Sequence, residues 1–329
     1  MTDTIYLETG STDPRYNLAF EEYILTHRRE GDYLILWQNA NSVIVGRNQI
    51  SAQEVNTEFA QRHNIPVVRR ITGGGAVYHD LGNLNYSFIC DAENMEKRTA
   101  SRFTQPVVDA LQGLGLDAEA SGRNDILVSG CKVSGTASHI HKGRVLHHGT
   151  LLFDSDTETI TQVLTPDPLK LQAKGIRSVK SRVGNIHSFL SKDITLVRFW
   201  EYLKNTLSGS GYVQGFVTEE EKQAILQLKA EKYDTWQWNY GSAPNFQLQC
   251  KDRWDGGILE IHLSIEHGKI AAVKIFGDFM ALTSSEELEQ ALIGCPYQKD
   301  AVADAISGIA LQECLGSITK EEFLQTIIK

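Results

Sequence analysis

The sequence predicts an α/β protein of two domains, a large one of mixed strands and helices followed by a small hairpin-plus-helices unit. Three observations predict it. The chain has 329 residues, long for one core and comfortable for two. Short β-rich runs alternate with helical periodicity through the amino-terminal two thirds. After residues 236–249, a stretch rich in Trp, Asn, Gly, Ser and Pro, the pattern changes to strict apolar–polar alternation. The domains are expected at 1–243 and 244–329.

The elements follow in order. Asp13 before Pro14 reads as an N-cap with proline at the first helical position. Phe20, Tyr23, Ile24 and His27 then share one helical face. Residues 34–37 and 43–45 read as buried strands around a turn at Asn39-Ala40-Asn41. A strand over 67–70 runs directly into Gly73-Gly74-Gly75. Further strands are expected over 86–89, 125–128 and 148–153, with a helix over 103–114. In the small domain Leu259, Ile261, Leu263 and Ile265 alternate with Glu260, His262, Ser264 and Glu266, a half-buried strand. Ala271, Val273 and Ile275 alternate on the return, and Ser284 or Ser285 caps a helix.

Composition narrows function. With 41% hydrophobic and 22% charged residues the chain folds around a core. A net charge of −9 disfavours generic nucleic-acid binding, which needs a basic surface. The five cysteines are scattered, with no CxxC, so neither a disulfide framework nor a zinc site is expected. The start MTDTIYLETG has no signal-peptide pattern, and no apolar run approaches the roughly 18 residues of a membrane span. A cytoplasmic enzyme is the expectation, and a monomer.

Two segments carry candidate chemistry. In Arg69-Arg70-Ile71-Thr72-Gly73-Gly74-Gly75-Ala76-Val77-Tyr78-His79-Asp80, three bare residues let backbone N–H groups converge on an anion and let a ligand approach closely. Arg70 adds a guanidinium fork suited to carboxylate or phosphate. Neither a Walker A loop nor GxGxxG is present. In the second segment Lys132 lies between two polar clusters, 121–125 and 147–150, with Cys131 beside it. Strand neighbours point to opposite faces, so if Lys132 faces a pocket, Cys131 does not. His139, His141, His147 and His148 offer no tetrahedral ligand set, and no metal site is expected from them. His139 and His141 read instead as an exposed hairpin. The basic run Lys170, Lys174, Arg177, Lys180, Arg182 reads as a solvated face or as a contact for pyrophosphate or an acidic partner.

Together these segments closely resemble the lipoate–protein ligase family. RRITGGGAVYHDLGN resembles its lipoate- and adenylate-binding loop. SGRNDILVSGCKVSGTASHIHKGRVLHHGTLLFDSD resembles its catalytic-lysine block and AKGIRSVKSRVGN its downstream basic block. PRYNLAFEEYIL and LILWQNANSVIVGRNQ resemble its amino-terminal segments. The resemblance implies an α/β catalytic domain of the biotin/lipoate ligase type with a small α+β accessory domain. It implies that Lys132 is catalytic, touching the lipoyl carbonyl and the phosphate. Arg70 and the backbone of Gly75, Ala76, Val77 and Tyr78 would hold the adenylate, with Gly73 and Gly74 among the binding residues of the same loop. Trp37 and His79 would line the acyl pocket, His148 and Gly149 would sit nearby, and Asn124 and Asp125 would lie near the nucleotide. ATP with Mg²⁺ and lipoate are implied as substrates. Apo-lipoyl domains of 2-oxoacid dehydrogenase complexes and the glycine-cleavage H protein are the implied acceptors.

The chemistry requires such parts. A free carboxylate is a poor acyl donor, so ATP converts it to a mixed anhydride, and positive charge must neutralise the approach of carboxylate to phosphate. The acyl chain needs an apolar tunnel, for which Trp37, Val43, Val45 and Val77 are candidate walls. Each buried CH₂ contributes about 0.8 kcal/mol, which makes octanoate a weaker alternative substrate. Three other readings compete: an ATP-independent octanoyl or lipoyl transferase using a cysteine, a non-catalytic lipoyl-domain binder, and a biotin ligase.

Overall fold

The computed structural model describes residues 4–49, 51–92, 101–122, 124–165, 183–209, 211–240, 248–266 and 268–328. The expected domain boundary at 243/244 and the whole basic run 170–182 fall outside these residues.

The strands are β1 (Thr4–Glu8), β2 (Tyr33–Trp37), β3 (Ser42–Val45), β4 (Val67–Arg69), β5 (Val77–His79), β6 (Asn83–Asp91) and β7 (Ala118–Ser121). They continue with β8 (Asp125–Val128), β9 (Cys131–His141), β10 (Arg144–Leu152), β11 (Tyr212–Gln214), β12 (Leu248–Trp254), β13 (Gly257–Glu266) and β14 (Lys269–Gly277). An eight-stranded sheet runs β11-β1-β2-β6-β10-β9-β8-β7, and two three-stranded sheets run β4-β3-β5 and β12-β13-β14.

The large sheet is buried on both faces, so β2 reads as an unbroken apolar run, YLILW. Leu34, Leu36, Leu84 and Tyr86 pack with Val107, Leu111, Phe199 and Leu203 of the helices Ser101–Gly113 and Leu196–Leu207. On the other face Ile35 and Trp37 meet the helix Pro14–His27 and, through Ile44 and Val68, the small sheet. Full burial of each such Leu, Ile or Val contributes roughly 1.5–3 kcal/mol. The helix starts as its sequence demands, with the Asp13 carboxylate accepting from Arg15 N at 2.9 Å.

Residues 34–45 are not a hairpin. β2 and β3 belong to different sheets. Asn17 donates to the Gln38 carbonyl at 2.7 Å and Ala40 N to the Thr12 carbonyl at 2.8 Å, which pins the intervening turn to the helix start and steers the chain away. The Trp-rich stretch is likewise no loose link at its start. Trp236–Asn239 is a helical turn in which Asn239 Oδ1 accepts from Arg69 N at 2.9 Å, and Trp238 Nε1 donates to the Arg69 carbonyl at 2.8 Å.

In the carboxy-terminal unit Leu259, Ile261 and Leu263 pack with Phe279, Leu288, Leu315 and Phe323. Glu260 and His262, expected at the solvent face, are buried as well. They tolerate burial because they pair: His262 Nε2 lies 2.7 Å and Lys251 Nζ 3.2 Å from the Glu260 carboxylate. This unit docks on the larger one through its 277–286 segment. Gly277 N donates to the Asn48 carbonyl (2.7 Å), Gly74 N to the Phe279 carbonyl (3.4 Å) and Ile140 N to the Leu282 carbonyl (2.9 Å), while Arg47 meets Glu286 at 3.2 Å.

Candidate active site

A cleft opens between the large sheet and the β4-β3-β5 sheet. Its floor is one rung across five strands. Trp37 of β2 pairs with Asn85 of β6, and Asn85 with Thr150 of β10. The Thr150 hydroxyl accepts from Gly135 N of β9 at 3.2 Å, and Gly135 pairs with Asp125 of β8. The opposite wall is Ile44, Arg70 and the run Gly74, Gly75, Ala76, Val77, His79.

Lys132 reaches this rung through a bulge. β8 pairs Ile126 with Ser134 but Leu127 with Lys132, so Val133 is the extra residue and the strand direction is re-aimed there. The Lys132 ammonium lies 2.6 Å from the Asp125 carboxylate. A Cβ added to Gly135 would sit 3.2 Å from that ammonium, so a bare residue leaves it room. Cys131 is absent from the cleft lining, as the alternation of strand faces requires; it lies against Gly184.

Buried polar groups form a directed chain behind the cleft. Arg70 Nε donates to Thr72 Oγ1 at 2.9 Å, and Thr72 Oγ1 meets His148 Nε2 at 2.8 Å. His148 Nδ1 lies 2.9 and 3.0 Å from the two Glu21 oxygens. The same carboxylate accepts from Ser87 Oγ at 2.5 Å, whose oxygen accepts from Trp37 Nε1 at 2.9 Å. One proton pattern satisfies every link: Thr72 gives its hydroxyl hydrogen to Nε2, and Nδ1–H and the serine hydroxyl converge on Glu21. Glu21 is 1% exposed, and this convergence is what lets a carboxylate stand there.

The glycine turn is held from beneath. Arg70 Nη2 donates to the carbonyls of Gly73 (2.7 Å) and Gly75 (2.9 Å), and Nη1 to the Ile44 carbonyl (3.1 Å). Four of its five N–H groups thus hold protein, and burial lowers its pKa to about 10. Arg70 therefore fixes the turn and presents only a remnant of its fork to a ligand. Gly74 has φ +91°, where β-carbon-bearing residues are strained. Gly46 allows the close approach of the turn, since a Cβ there would lie 2.0 Å from the Gly74 carbonyl oxygen.

Of the residues expected at the site, Trp37, Arg70, Gly74, Gly75, Ala76, Val77, His79, Asn124, Lys132, His148 and Gly149 line this one cleft. Gly73, Tyr78 and Asp125 do not. Gly73 faces the carboxy-terminal unit, where a Cβ would meet the Phe279 carbonyl oxygen at 2.9 Å. Tyr78 points to the far side of β5, into the cluster with Val43, Val45 and Val67. Asp125 meets the site through its pair with Lys132. Val43 and Val45, expected as tunnel walls, share the fate of Tyr78; Ile44 between them faces the cleft. His139 sits on the expected hairpin but is not exposed. It lies beside Ile140, which bonds the Leu282 carbonyl, and burial lowers its pKa to about 4.

Sequence reading passed over Glu21, Thr72, Ser87, Asn85 and Gly135. Glu21 had a signal. It falls on the buried helix stripe Asn17, Leu18, Ile24, Leu25, where a carboxylate has no place without internal partners. Among the described residues no group of three His, Cys, Asp or Glu is arranged to hold a metal ion, and no helix is long and apolar enough to cross a membrane.

Residues 13–208 match the family model of the lipoyl protein ligase A/B catalytic domain, and residues 243–327 that of the bacterial lipoate protein ligase C-terminus. The chain is 43% identical over 320 residues to the lipoate–protein ligase LplJ of Bacillus subtilis, covering 96% of this chain and 97% of that one. It is similar to a lipoate–protein ligase A solved with ATP bound, at 30% identity and TM-score 0.62, covering 73% of this chain and 98% of that one. A Thermoplasma acidophilum protein, Ta0514, described as a putative lipoate protein ligase and solved with lipoic acid, matches at 29% identity and TM-score 0.64, covering 74% and 100%. With both family models matched in order and a relative this similar over nearly its whole length, the chain belongs to the lipoate–protein ligase family.

Proposed function

We propose that the protein uses ATP to convert lipoate to lipoyl-AMP and then transfers the lipoyl group to a lysine of an apo-lipoyl domain. One observation carries the proposal. Lys132 and the bare backbone of Gly74 and Gly75 face each other across one cleft that continues past Asn85 to Trp37. A cation and side-chain-free glycine backbone share that cleft with the apolar walls Leu18, Ile44 and Val77.

In the first step the carboxylate oxygen attacks the α-phosphorus and pyrophosphate leaves. Lys132 offsets the repulsion between the two anions and holds charge on the phosphorus. Asp125 keeps the ammonium aimed until the anions compete for it. Asn124, on the rim, donates to the Thr136 carbonyl at 3.3 Å and shapes the nucleotide side. Mg²⁺ would travel on the ATP phosphates, since among the described residues lining the cleft none is a carboxylate. In the second step the acceptor amine attacks the anhydride carbonyl and AMP leaves. Near neutrality about one lysine in a thousand is uncharged, so the amine must be desolvated as it enters.

The same reading assigns residues 1–243 to the catalytic domain and 244–329 to the accessory domain, and takes dehydrogenase lipoyl domains and the glycine-cleavage H protein as acceptors of a cytoplasmic monomer. A cysteine-dependent transferase is disfavoured by the position of Cys131 outside the cleft. Incubation with ATP, lipoate and a panel of apo-lipoyl domains, read by mass, tests the proposal. Gain of one lipoyl group only when ATP is present is expected; gain without ATP contradicts it.

A further inference from the structure

We propose that Thr150 is an oxyanion donor of the transfer step: its hydroxyl hydrogen bonds the acyl carbonyl oxygen while the acceptor amine attacks, and it serves transfer rather than adenylate formation. The inference rests on the lipoate reading above and adds a catalytic residue to its second step.

β9 and β10 part at this point. Their pairing runs from Arg144 and His141 to Gly149 and Thr136 and stops there. Thr136 N turns to β8, donating to the Asn124 carbonyl at 2.8 Å. Gly135 N therefore faces β10, where it meets the Thr150 hydroxyl at 3.2 Å in place of a backbone carbonyl. Leu151 packs on the far side of the sheet with Val107 and Phe199, so Thr150 faces the cleft, where it is partly exposed. Its oxygen is taken on one side by an N–H, which turns the hydroxyl hydrogen elsewhere. Among the described residues that hydrogen has no protein acceptor.

The hydroxyl stands where the reacting carbon belongs. Thr150 Oγ1 lies 3.2 Å from Gly135 N, and the Lys132 ammonium lies 3.2 Å from where a Cβ on the same glycine would stand. Hydroxyl and ammonium thus flank one bare residue. From Thr150 the rung passes Asn85 to Trp37, two strands away. At about 4.8 Å per strand that is roughly 10 Å, the length of an extended eight-carbon acid. An acyl chain lying along the rung with its tail at Trp37 has its carboxyl carbon over Thr150.

The chemistry assigns the step. In adenylate formation the carboxylate oxygen gives electron density to phosphorus. A donor on the carboxylate holds that density back and gains nothing at the transition state. In transfer the amine lone pair forms the N–C bond and the carbonyl π pair moves onto oxygen. Return of that pair expels AMP, and the surplus proton on nitrogen passes to water. The Lys132 ammonium serves the phosphate as well, so a preorganised donor aimed at the oxyanion alone adds what the cation lacks. A threonine kept only to hold Gly135 N would matter equally to both steps.

The test compares two rates in the full-length protein. One is lipoate-driven ATP–pyrophosphate exchange. The other is single-turnover transfer from synthetic lipoyl-AMP to an apo-lipoyl domain. In Thr150→Val, transfer is expected to fall about 10²-fold while exchange falls less than about 3-fold. Thr150→Ser, which keeps the hydroxyl, is expected to transfer within about 3-fold of wild type. With hydroxylamine in place of the apo-domain the Thr150→Val deficit should persist, because the oxyanion forms whichever amine attacks. A deficit confined to the protein acceptor overturns the inference and makes Thr150 a docking contact. Equal losses in exchange and transfer, undiminished transfer by Thr150→Val, or a serine variant no better than valine overturn it too. Should Thr150→Val not fold, Thr150→Ala against Thr150→Ser makes the same comparison. Absence of both reactions in the wild-type protein would instead overturn the lipoate reading beneath it.

Discussion

The ammonium of Lys132 stands 2.6 Å from the carboxylate of Asp125, one strand away across a β-bulge, with Gly135 leaving room beside the ammonium. The pair is poised rather than locked. Lys132 keeps a quarter of its side chain exposed, while Asp125 is nearly buried. Asp125→Asn is expected to lower adenylate formation about 10-fold through a less defined ammonium, well short of the 10²–10³ that loss of an electrostatic contact to the reacting group costs. Gly135→Ala, whose methyl would press on the ammonium, is expected to raise KM for ATP with little change in melting temperature. Pyrophosphate-release kinetics on both variants check this.

The glycine turn makes a second prediction by contrast. A Cβ on Gly75 meets nothing within 4 Å, and the residue lines the cleft with an ordinary φ. Gly75→Val should therefore fold normally and fail to bind ligand. Gly46→Ala drives a methyl to 2.0 Å from the Gly74 carbonyl oxygen, so it should destabilise the fold by about 1–3 kcal/mol as well as displace the turn. Calorimetric lipoate binding and urea midpoints separate the two effects.

Glu21 is the acceptor on which His148 and Ser87 converge. Glu21→Ala leaves both donors buried and unpaired and is expected to cost about 3 kcal/mol. Glu21→Gln keeps one carbonyl oxygen for both and should cost about 1 kcal/mol. Chemical denaturation of the two variants reads the difference; equal losses would remove the network from the account.

Much of this was legible beforehand, for definite reasons. Asp13-Pro14, the apolar run of β2 and the Gly73–Gly75 turn are local signals, set by propensity and sterics within a few residues. The polar clusters on either side of Lys132 marked it as part of a site wall, and its association with that turn came from the resemblance. What the chain could not display locally was phase and long-range pairing. Ile44 rather than Val43 and Val45 faces the cleft because β3 joins a second sheet, a choice made by the Asn17 anchor twenty-one residues from Gln38. The role of Glu21 depends on partners from β6 and β10. That three of the Arg70 hydrogen bonds go to backbone carbonyls is likewise something no sequence pattern reveals.

Burial of histidines gives a pH prediction. His79, His139 and His147 have pKa values lowered from 6.5 to about 3, 4 and 3, with burial the main cause. Unfolded, each binds a proton near pH 6.5; folded, each stays neutral well below that. As pH falls from 6.5 toward 4 the unfolded chain holds more protons, so stability drops, by at most about 1.4 kcal/mol per pH unit for each histidine. Above about pH 7.5 they contribute almost no slope. His147→Gln should remove one proton's share of that slope, read from urea midpoints across the window; an unaltered slope contradicts the assignment.

The most direct measurement is lipoate-dependent ATP–pyrophosphate exchange by the wild-type protein and by Lys132→Ala, each checked for an unchanged melting temperature. Robust exchange in the first and a loss of at least about 10²-fold in the second is the predicted result. Near-equal exchange by a folded Lys132→Ala protein would contradict the claim that this one cation, held over Gly135 opposite the bare turn, drives formation of the acyl-adenylate.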